Sequence, residues 1–344
     1  VIPELVTVGG LTIDNVIASD GTVALARVGG NSAYSGVGAR CWVGMVGLVS
    51  LAVATFPRDV LARLEANNLL LDGVAHHPAR LRYADWFIYD DAGHRHDRLR
   101  SLPGELEEAG FSTDRLTPAE VRRWMDILKA RPEPPERSYS QFRHDTPMTT
   151  EQVPAHYRNA RGVHLAPCRL DVLMTMAGVF KPTGMLMTLD PGWQLASTPL
   201  ADLAPLLAQV DAFLPSEVEL QALVPGAGMA DGLAELARHC PGIVAVKCGP
   251  KGSLVWDSAK GQPVSIPAMK VEAADPTGAG DAWSGGFLAG LVETGDPLLA
   301  ACFGTVSASQ VVQRFGADGA LPVDQTACRA SLNRQITTIR ANEA

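Results

Sequence analysis

Short apolar runs that end in glycine or proline recur along the chain: ELVTVGG (4–10), GVHLAP (162–167), MLMTLDPG (185–192), AFLPSE (212–217) and IVAVKCGPKG (243–252). Runs of this length bounded by turn formers predict buried strands. Segments of helical length, such as LDVLMTMAGVF and MADGLAELARHC, separate the later runs. Strand and helix therefore alternate, which predicts an α/β fold with a parallel sheet covered by helices on both faces. Ligands of such sheets sit beyond the carboxyl ends of the strands. The residues to examine are then Asp14, Asp190, Glu217, Glu219 and the stretch Lys247 to Gly252.

Two segments have a different texture. TIDNVIASDGTVALARVGG (12–30) and RLRYADWFIYDDAGHRHDRLR (80–100) alternate apolar and polar residues around the turn signals Asp20-Gly21 and Asp91-Ala92-Gly93. That alternation predicts hairpin strands standing off the main sheet as a small lid. Trp86 and Phe87 on it are positioned to cover a substrate or to pack against the lid of a second copy. The stretch 101–160 is rich in Pro, Arg and Glu and predicts a surface insertion. It carries one helical candidate, TPAEVRRWMDILKA, with Thr117 as N-cap and Pro118 at the first helical position.

The 15-residue apolar run from Trp42 to Phe56 contains glycines and a serine and falls short of the ~20 residues that span a bilayer. It predicts a buried element, and without a basic leader the expectation is a cytoplasmic protein with no membrane partner. A net charge of −8 gives no support to a nucleic-acid partner, so any phosphate must be held locally. Six cysteines without a C-x-x-C pair predict buried thiols rather than a zinc site or a disulfide framework. His94 and His96 share a hairpin face, yet no second ligand pair accompanies them. His76-His77 reads as a loop, and His164 either touches substrate or ends a strand.

Candidate chemistry concentrates in DPTGAGDAWSGGF (275–287). Gly278-Ala279-Gly280 lets the chain turn tightly and aim backbone amides at an anion, at the start of a helix expected from about Ala279 to Val292. Asp281 falls in the first helical turn, where the helix dipole favours its ionised form. It is suited to accept a proton from an alcohol while the adjoining amides face a phosphoryl group. The alternative is that Asp281 caps the helix and the glycines serve close packing.

The same stretch resembles the C-terminal signature of the PfkB/ribokinase family of carbohydrate and nucleoside kinases. The likeness extends in order through VGGNSAYSG (28–36), LPSEVEL (214–220), VKCGPKGS (246–253) and QRFGA (313–317). It implies a single domain over 1–344 with the ribokinase-like three-layer sandwich, a mostly parallel central sheet and a small β lid. It implies an enzyme that moves the γ-phosphate of ATP to a hydroxyl of a small sugar or polyol. A nucleoside kinase, or a catalytically weak relative that binds nucleotide or sugar, is the alternative.

By the same resemblance Asp281 is the base, with Gly278, Ala279 and Gly280 as the anion hole. Asp14, Gly30, Asn31 and Tyr34 line the acceptor, and Ser216, Lys247, Gly249 and Gly252 line the nucleotide. Glu219 organises Mg²⁺ through water, and Asp275, Arg314 and Gly316 match positions that in many members hold K⁺. A homodimer through the lid is a further expectation of the likeness. Two departures stand out: Ser216 replaces the asparagine of the family's Asn-x-x-Glu segment, and Tyr34 replaces an asparagine that reads sugar hydroxyls. A dinucleotide oxidoreductase would need an ordered G-x-G-x-x-G after a first strand, which is missing.

Overall fold

A computed structural model of the protein describes residues 1–80, 85–89, 95, 119 and 139–343. The apolar runs form one sheet in the order β12-β11-β10-β9-β8-β7-β1-β4-β5. These strands are β1 (Leu5–Val8), β4 (Val46–Val53), β5 (Leu69–His77), β7 (Gly162–Leu165), β8 (Leu186–Leu189), β9 (Ala212–Phe213), β10 (Ile243–Lys247), β11 (Ser253–Asp257) and β12 (Gln262–Ile266). Pairing is parallel from β5 across to β10, and antiparallel only where β11 and β12 are added. Strand order reverses at β1, which pairs with β4 on one side and β7 on the other. The crevice of an open parallel sheet forms at such a reversal.

The sheet's two faces are distinct cores, set by the period-two alternation of the strands. Leu5, Leu48, Leu214 and Ala245 face helices α1 (Asn31–Arg40), α7 (Ala279–Thr294) and α8 (Pro297–Val312). Val6, Val8, Leu165, Leu189 and Phe213 face α3 (Leu170–Phe180), α4 (Leu200–Leu207) and α6 (Met229–His239). Two further helices enter the account below: α2 (Tyr139–Asp145) and α5 (Glu217–Leu223). The result is the three-layer sandwich expected.

A smaller sheet in the order β3-β2-β6 stands apart, with β2 (Thr12–Ile17), β3 (Val23–Gly29) and β6 (Asp85–Ile88). β2 and β3 form the antiparallel pair expected of 12–30, whereas β6 joins β2 in parallel. Tyr89 bridges Arg95 antiparallel, and the turn signal between them lies outside the described residues, as do His94 and His96.

Most of 101–160 up to residue 138, including nearly all of the helical candidate, also lies outside the described residues. The remainder does not have the surface character expected of it. Phe142, Met148, Val153 and Tyr157 are buried, and Phe142 packs its ring edge-on to His77 at 5.0 Å. His77 is correspondingly the last residue of β5 rather than part of a loop. The apolar run around 42–56 is the fully buried strand β4, and all six thiols are free and buried. No helix among the described residues is long and apolar enough to cross a membrane.

α7 and α8 are apolar nearly all round because both are buried against other helices, and small residues let their backbones approach. A Cβ at Gly38 would sit 2.1 Å from Ala282 O, and one at Gly285 would sit 1.9 Å from Ser35 O. This crossing of α1 and α7 holds the start of α7, and with it Asp281, against the sheet. Gly285→Ala is expected to lower the urea midpoint although alanine is the better helix former by about 1 kcal/mol, because the methyl would strike backbone and force the helices apart at about 1–3 kcal/mol or more. Gly178→Ala, at an exposed position of α3 where a Cβ meets nothing within 4 Å, should raise the midpoint instead. Equal effects of the two substitutions would contradict the packing account.

Candidate active site

The strand ends open into a cleft of about 1950 Å³. One small ligand needs roughly 300–1,000 Å³, so the cleft has room for two side by side. Of the residues singled out in the sequence, Asp14, Gly30, Asn31, Tyr34, Ser216, Glu219, Lys247, Gly249, Gly252, Gly278, Ala279, Gly280 and Asp281 line it. Asp275, Arg314 and Gly316 do not.

The turn before α7 is built around Gly278, whose φ of 73° is left-handed. A side chain there would also collide with the Tyr34 ring, 2.1 Å from an added Cβ. Gly280 is different: it is helical, and an added Cβ would reach Lys247 only at 3.8 Å. The conformational demand expected of both glycines falls on Gly278 alone. The amide of Ala279 donates to Pro276 O at 3.2 Å and closes the turn, so one of the three expected anion-hole donors is already engaged. First-turn amides such as that of Gly280 have no intrahelical acceptor by construction.

Four charged groups meet on the cleft floor. Lys247, at the end of β10, is ion-paired to Asp190, which follows β8 and is 3% exposed. Ser284 Oγ donates to Asp190 Oδ2 at 3.3 Å and lies 3.5 Å from Lys247 Nζ. Burial alone would pull the Lys247 ammonium down, but Asp190, Glu219 and Asp281 together hold it above its ordinary value. Lys247 thus lines the cleft with its charge directed at Asp190.

Asp281 departs most from its expectation. Burial, then the neighbouring Asp190 charge, push its carboxyl up to about 7, against the opposing pull of Lys247. The helix dipole, worth about 0.3–1 kcal/mol at exposed sites, does not keep it fully ionised at neutral pH. Glu219 is raised as well, by burial first and by Asp190 second.

Ser216 and Glu219 form a reciprocal capping box at the start of α5. Glu219 Oε2 accepts from the Ser216 amide at 2.6 Å, and Ser216 Oγ accepts from the Glu219 amide at 3.3 Å. The S-x-x-E spacing signalled this in the sequence, beneath the likeness to Asn-x-x-Glu.

At the other end of the cleft, Asp14 is 1% exposed and accepts from Thr12 Oγ1 at 2.8 Å and Tyr34 Oη at 3.2 Å. A Cβ at Gly29 would sit 1.9 Å from its carboxylate, which is why glycine precedes Gly30. Tyr34 is buried beneath the Gly278 turn, and burial, followed by Asp14 and Asp275, drives its phenol well above the ordinary range. Asn31 accepts from Gly10 N and donates to Pro167 O at 2.8 Å, clamping the ends of β1 and β7 together. Phe87 of the small sheet lines the cleft. Tyr89, next along, meets Thr277 Oγ1 at 2.7 Å and so links that sheet to the segment before the turn.

Asp275 accepts from the amides of Thr277 at 2.9 Å and Gly316 at 3.2 Å, while the Arg314 side chain donates to Gln313 O. His164 is wholly buried in β7, with Nδ1 on Thr188 Oγ1 at 2.9 Å, and burial takes its pKa down to about 4. It is a neutral sheet residue and does not line the cleft.

Residues 147–324 match the model of the pfkB family of carbohydrate kinases. The chain belongs to this family. It is an ATP-dependent kinase of the PfkB class, which transfers phosphate to a hydroxyl of a small sugar or nucleoside. A cytidine kinase of Thermococcus kodakarensis is 24% identical over 315 residues, 91% of this chain and 97% of the relative. The fold is shared with a nucleoside kinase of Burkholderia thailandensis solved in complex with inosine, at a TM-score of 0.68 and 15% identity over 96% of both chains. An Escherichia coli chain solved in complex with ATP and Mg²⁺ has a TM-score of 0.67 at 17% identity, covering 97% of this PfkB chain and all of that one.

A base role for Asp281 would give a pH response set by its raised carboxyl. A base must be deprotonated to act, so kcat/KM should rise about tenfold per pH unit below about 7 and level off above it. Asp190→Asn removes one cause of the shift and releases Lys247 towards Asp281, so the acid limb should move to lower pH. A wild-type limb near pH 4, or an Asp190→Asn limb that stays in place, would contradict this electrostatic account.

Proposed function

We propose that Asp281 takes the proton of an acceptor alcohol while the amides of Gly278 and Gly280, flanking the engaged amide of Ala279, face the phosphoryl group that the alcohol attacks. The observation that carries this reading is a carboxylate lining a two-ligand cleft, directly behind a left-handed glycine turn, with its pKa moved to about 7. Base catalysis is most effective when the pKa lies near the working pH. A pair of acidic floor residues around one lysine also leaves an excess of negative charge when Asp281 is ionised. Such a floor favours a divalent cation.

Mg²⁺ suits that floor, held through water by Glu219 and by phosphate oxygens. Among the described residues no group of three His, Cys, Asp or Glu could hold a metal ion. When bound, the ion would neutralise phosphate charge. The chain's own residues supply the base, the turn amides and the lysine. Gly249 and Gly252, both at positive φ, bound a short turn on the nucleotide side. An apolar wall of Met269, Val271, Ala308 and Trp283 beyond it suits the adenine ring, and the buried Trp283 Nε1 is without a hydrogen-bond partner.

K⁺ would sit off the cleft near Asp275 and the backbone at Arg314 and Gly316. The acceptor would lie between Asp14, Gly30, Asn31 and Tyr34. A homodimer through the small sheet would use its edge strand β3, where Leu25 is 48% exposed.

Asp281→Asn keeps the turn but removes the basic oxygen. Turnover, followed as ADP release with a sugar and nucleoside panel, should fall by about 10²–10⁴, while calorimetric titration still detects ATP binding. Turnover within a few-fold of wild type would refute the base assignment.

A further inference from the structure

Two polar links tie the small sheet to the segments around the Gly278 turn. The first is Asp318, in the short helix Gly316–Gly319, with a side chain only 3% exposed. Its Oδ1 accepts from the Val28 amide of β3 at 3.0 Å. Its Oδ2 lies 3.1 Å from Arg27 Nη2 and 3.5 Å from Arg63 Nη2, the latter on the helix Arg58–Ala66. Arg27 Nε also donates to Phe315 O at 3.2 Å. The second link is Tyr89, whose hydroxyl meets Thr277 Oγ1 at 2.7 Å and whose amide donates to Ile17 O of β2 at 3.0 Å.

The two links close into a ring. Gly316, at a φ of 70°, donates its amide to Asp275 Oδ2 at 3.2 Å, and Asp275 Oδ1 accepts from the Thr277 amide at 2.9 Å. The amides of Ala274 and Asp275 both donate to Val312 O, so the segments 274–277 and 312–318 are bound together. The junction is tight: a Cβ at Gly316 would sit 2.4 Å from Arg27 Cβ and 3.0 Å from Asp318 Oδ1. Thr277 directly precedes the Gly278 turn. On the other side, Arg27 is the cross-strand partner of Asp14, and β3 runs on through Gly29 to Gly30. One side of the ring thus carries residues proposed to meet the acceptor, and the other carries the turn proposed to meet the phosphoryl group. Charge-assisted hydrogen bonds at a buried carboxylate hold such a spacing more firmly than an exposed ion pair does.

We infer that Asp318 is a positioning residue for phosphoryl transfer. Through Val28 and Arg27 on one side, and through Gly316, Asp275 and Thr277 on the other, it fixes the acceptor strands relative to the Gly278 turn. Asp318 does not line the cleft, so it acts only through these contacts. The inference rests on the kinase reading for what is being aligned. Transfer between two bound reactants is sensitive to their spacing, and a shift of about 1 Å caused by a remote change can cost about 10²-fold in rate.

Asp318→Asn keeps an oxygen for the Val28 amide but removes the charge that holds Arg27, whereas Asp318→Ala removes both. With the acceptor of the sugar and nucleoside panel that turns over fastest, kcat should fall about 3- to 10-fold in the first and about 30- to 100-fold in the second. ADP affinity by calorimetry should stay within about twofold, because Lys247, Gly249 and Gly252 lie outside the ring. Arg27→Gln breaks the same link from its other partner and should reproduce the Asp318→Asn loss, with the double variant little worse than either alone. Hydrogen exchange reads the link without turnover: in Asp318→Ala the amides of 275–280 should exchange about tenfold faster, with those of β10 unchanged. Thermal melting confirms folding, and if Asp318→Ala does not fold, Asp318→Asn and Arg27→Gln carry the same comparisons.

The inference is overturned if the folded variants keep wild-type kcat, if ADP affinity falls in step with kcat, or if the Arg27 and Asp318 losses add in full. Turnover that depends on Asp281 but is indifferent to Asp318 would sink this inference and leave the kinase reading standing. Faster exchange at 275–280 in the Asp318 variants, with no phosphorylation of any acceptor by the wild-type chain, would sink the kinase reading and leave the link between sheet and turn in place.

Discussion

The contact between Lys247 and Asp190 is the constraint on which the rest of the site depends. Both side chains are largely buried, and a buried carboxylate without a partner costs several kcal/mol. The pair therefore fixes the ends of β10 and β8 relative to each other and to Ser284 on α7. Because the lysine's charge is shared among Asp190, Glu219 and Asp281, none of the three carboxylates has a full counter-charge. Asp190 is close enough to raise the other two, and Asp281 is left poised between protonation states. Any cation brought to this floor favours the ionised form, so the ionisation of Asp281 is linked to what else occupies the cleft.

A carboxyl tuned by its neighbours keeps that tuning only if its position is held, and here the packing of α7 matters. The close approaches at Gly38 and Gly285 leave no slack between α1 and α7, and Tyr34 supports the Gly278 turn from below. Tyr34 in turn is tied to Asp14, so the two ends of the cleft are linked through one buried hydroxyl–carboxylate contact. Tyr34 thus acts as a structural strut as well as a wall residue.

The layered fold was legible because the strands end in glycine or proline and alternate with helix-length segments, a pattern that local physics imposes. The turn at 275–287 was legible for the same reason. What could not be read were contacts between residues far apart in the chain. Asp190 was visible as a strand-end acid, yet its pairing with Lys247, 57 positions later, follows only from the sheet order. The ionisation of Asp281 was misjudged because the helix dipole is a local effect, while the larger cause, burial beside Asp190 and Glu219, arises from the assembled cleft. The segment 139–160 was misjudged by composition: its Pro and Arg content masked the apolar set Phe142, Met148, Val153 and Tyr157. Ser216 shows the opposite case, since the S-x-x-E spacing writes the capping box into the sequence itself.

The reversal of strand order explains why such different environments coexist in one cleft. On one side of β1 the chain supplies β7 through β10, whose ends carry Asp190 and Lys247. At β1 itself, Asn31 closes the gap to Pro167, and the polar atoms of that clamp are spent on backbone groups. A site that uses its amide in this way must read its acceptor with other side chains. Those within reach of the β1–β7 end come from α2, whose Phe142 is part of the buried core, and from the small sheet, which stands apart from the sandwich. On the proposed reading, the buried charges at the strand ends carry the chemistry, and the acceptor is met at the opposite end of the cleft, where the small sheet adds Phe87 to the lining.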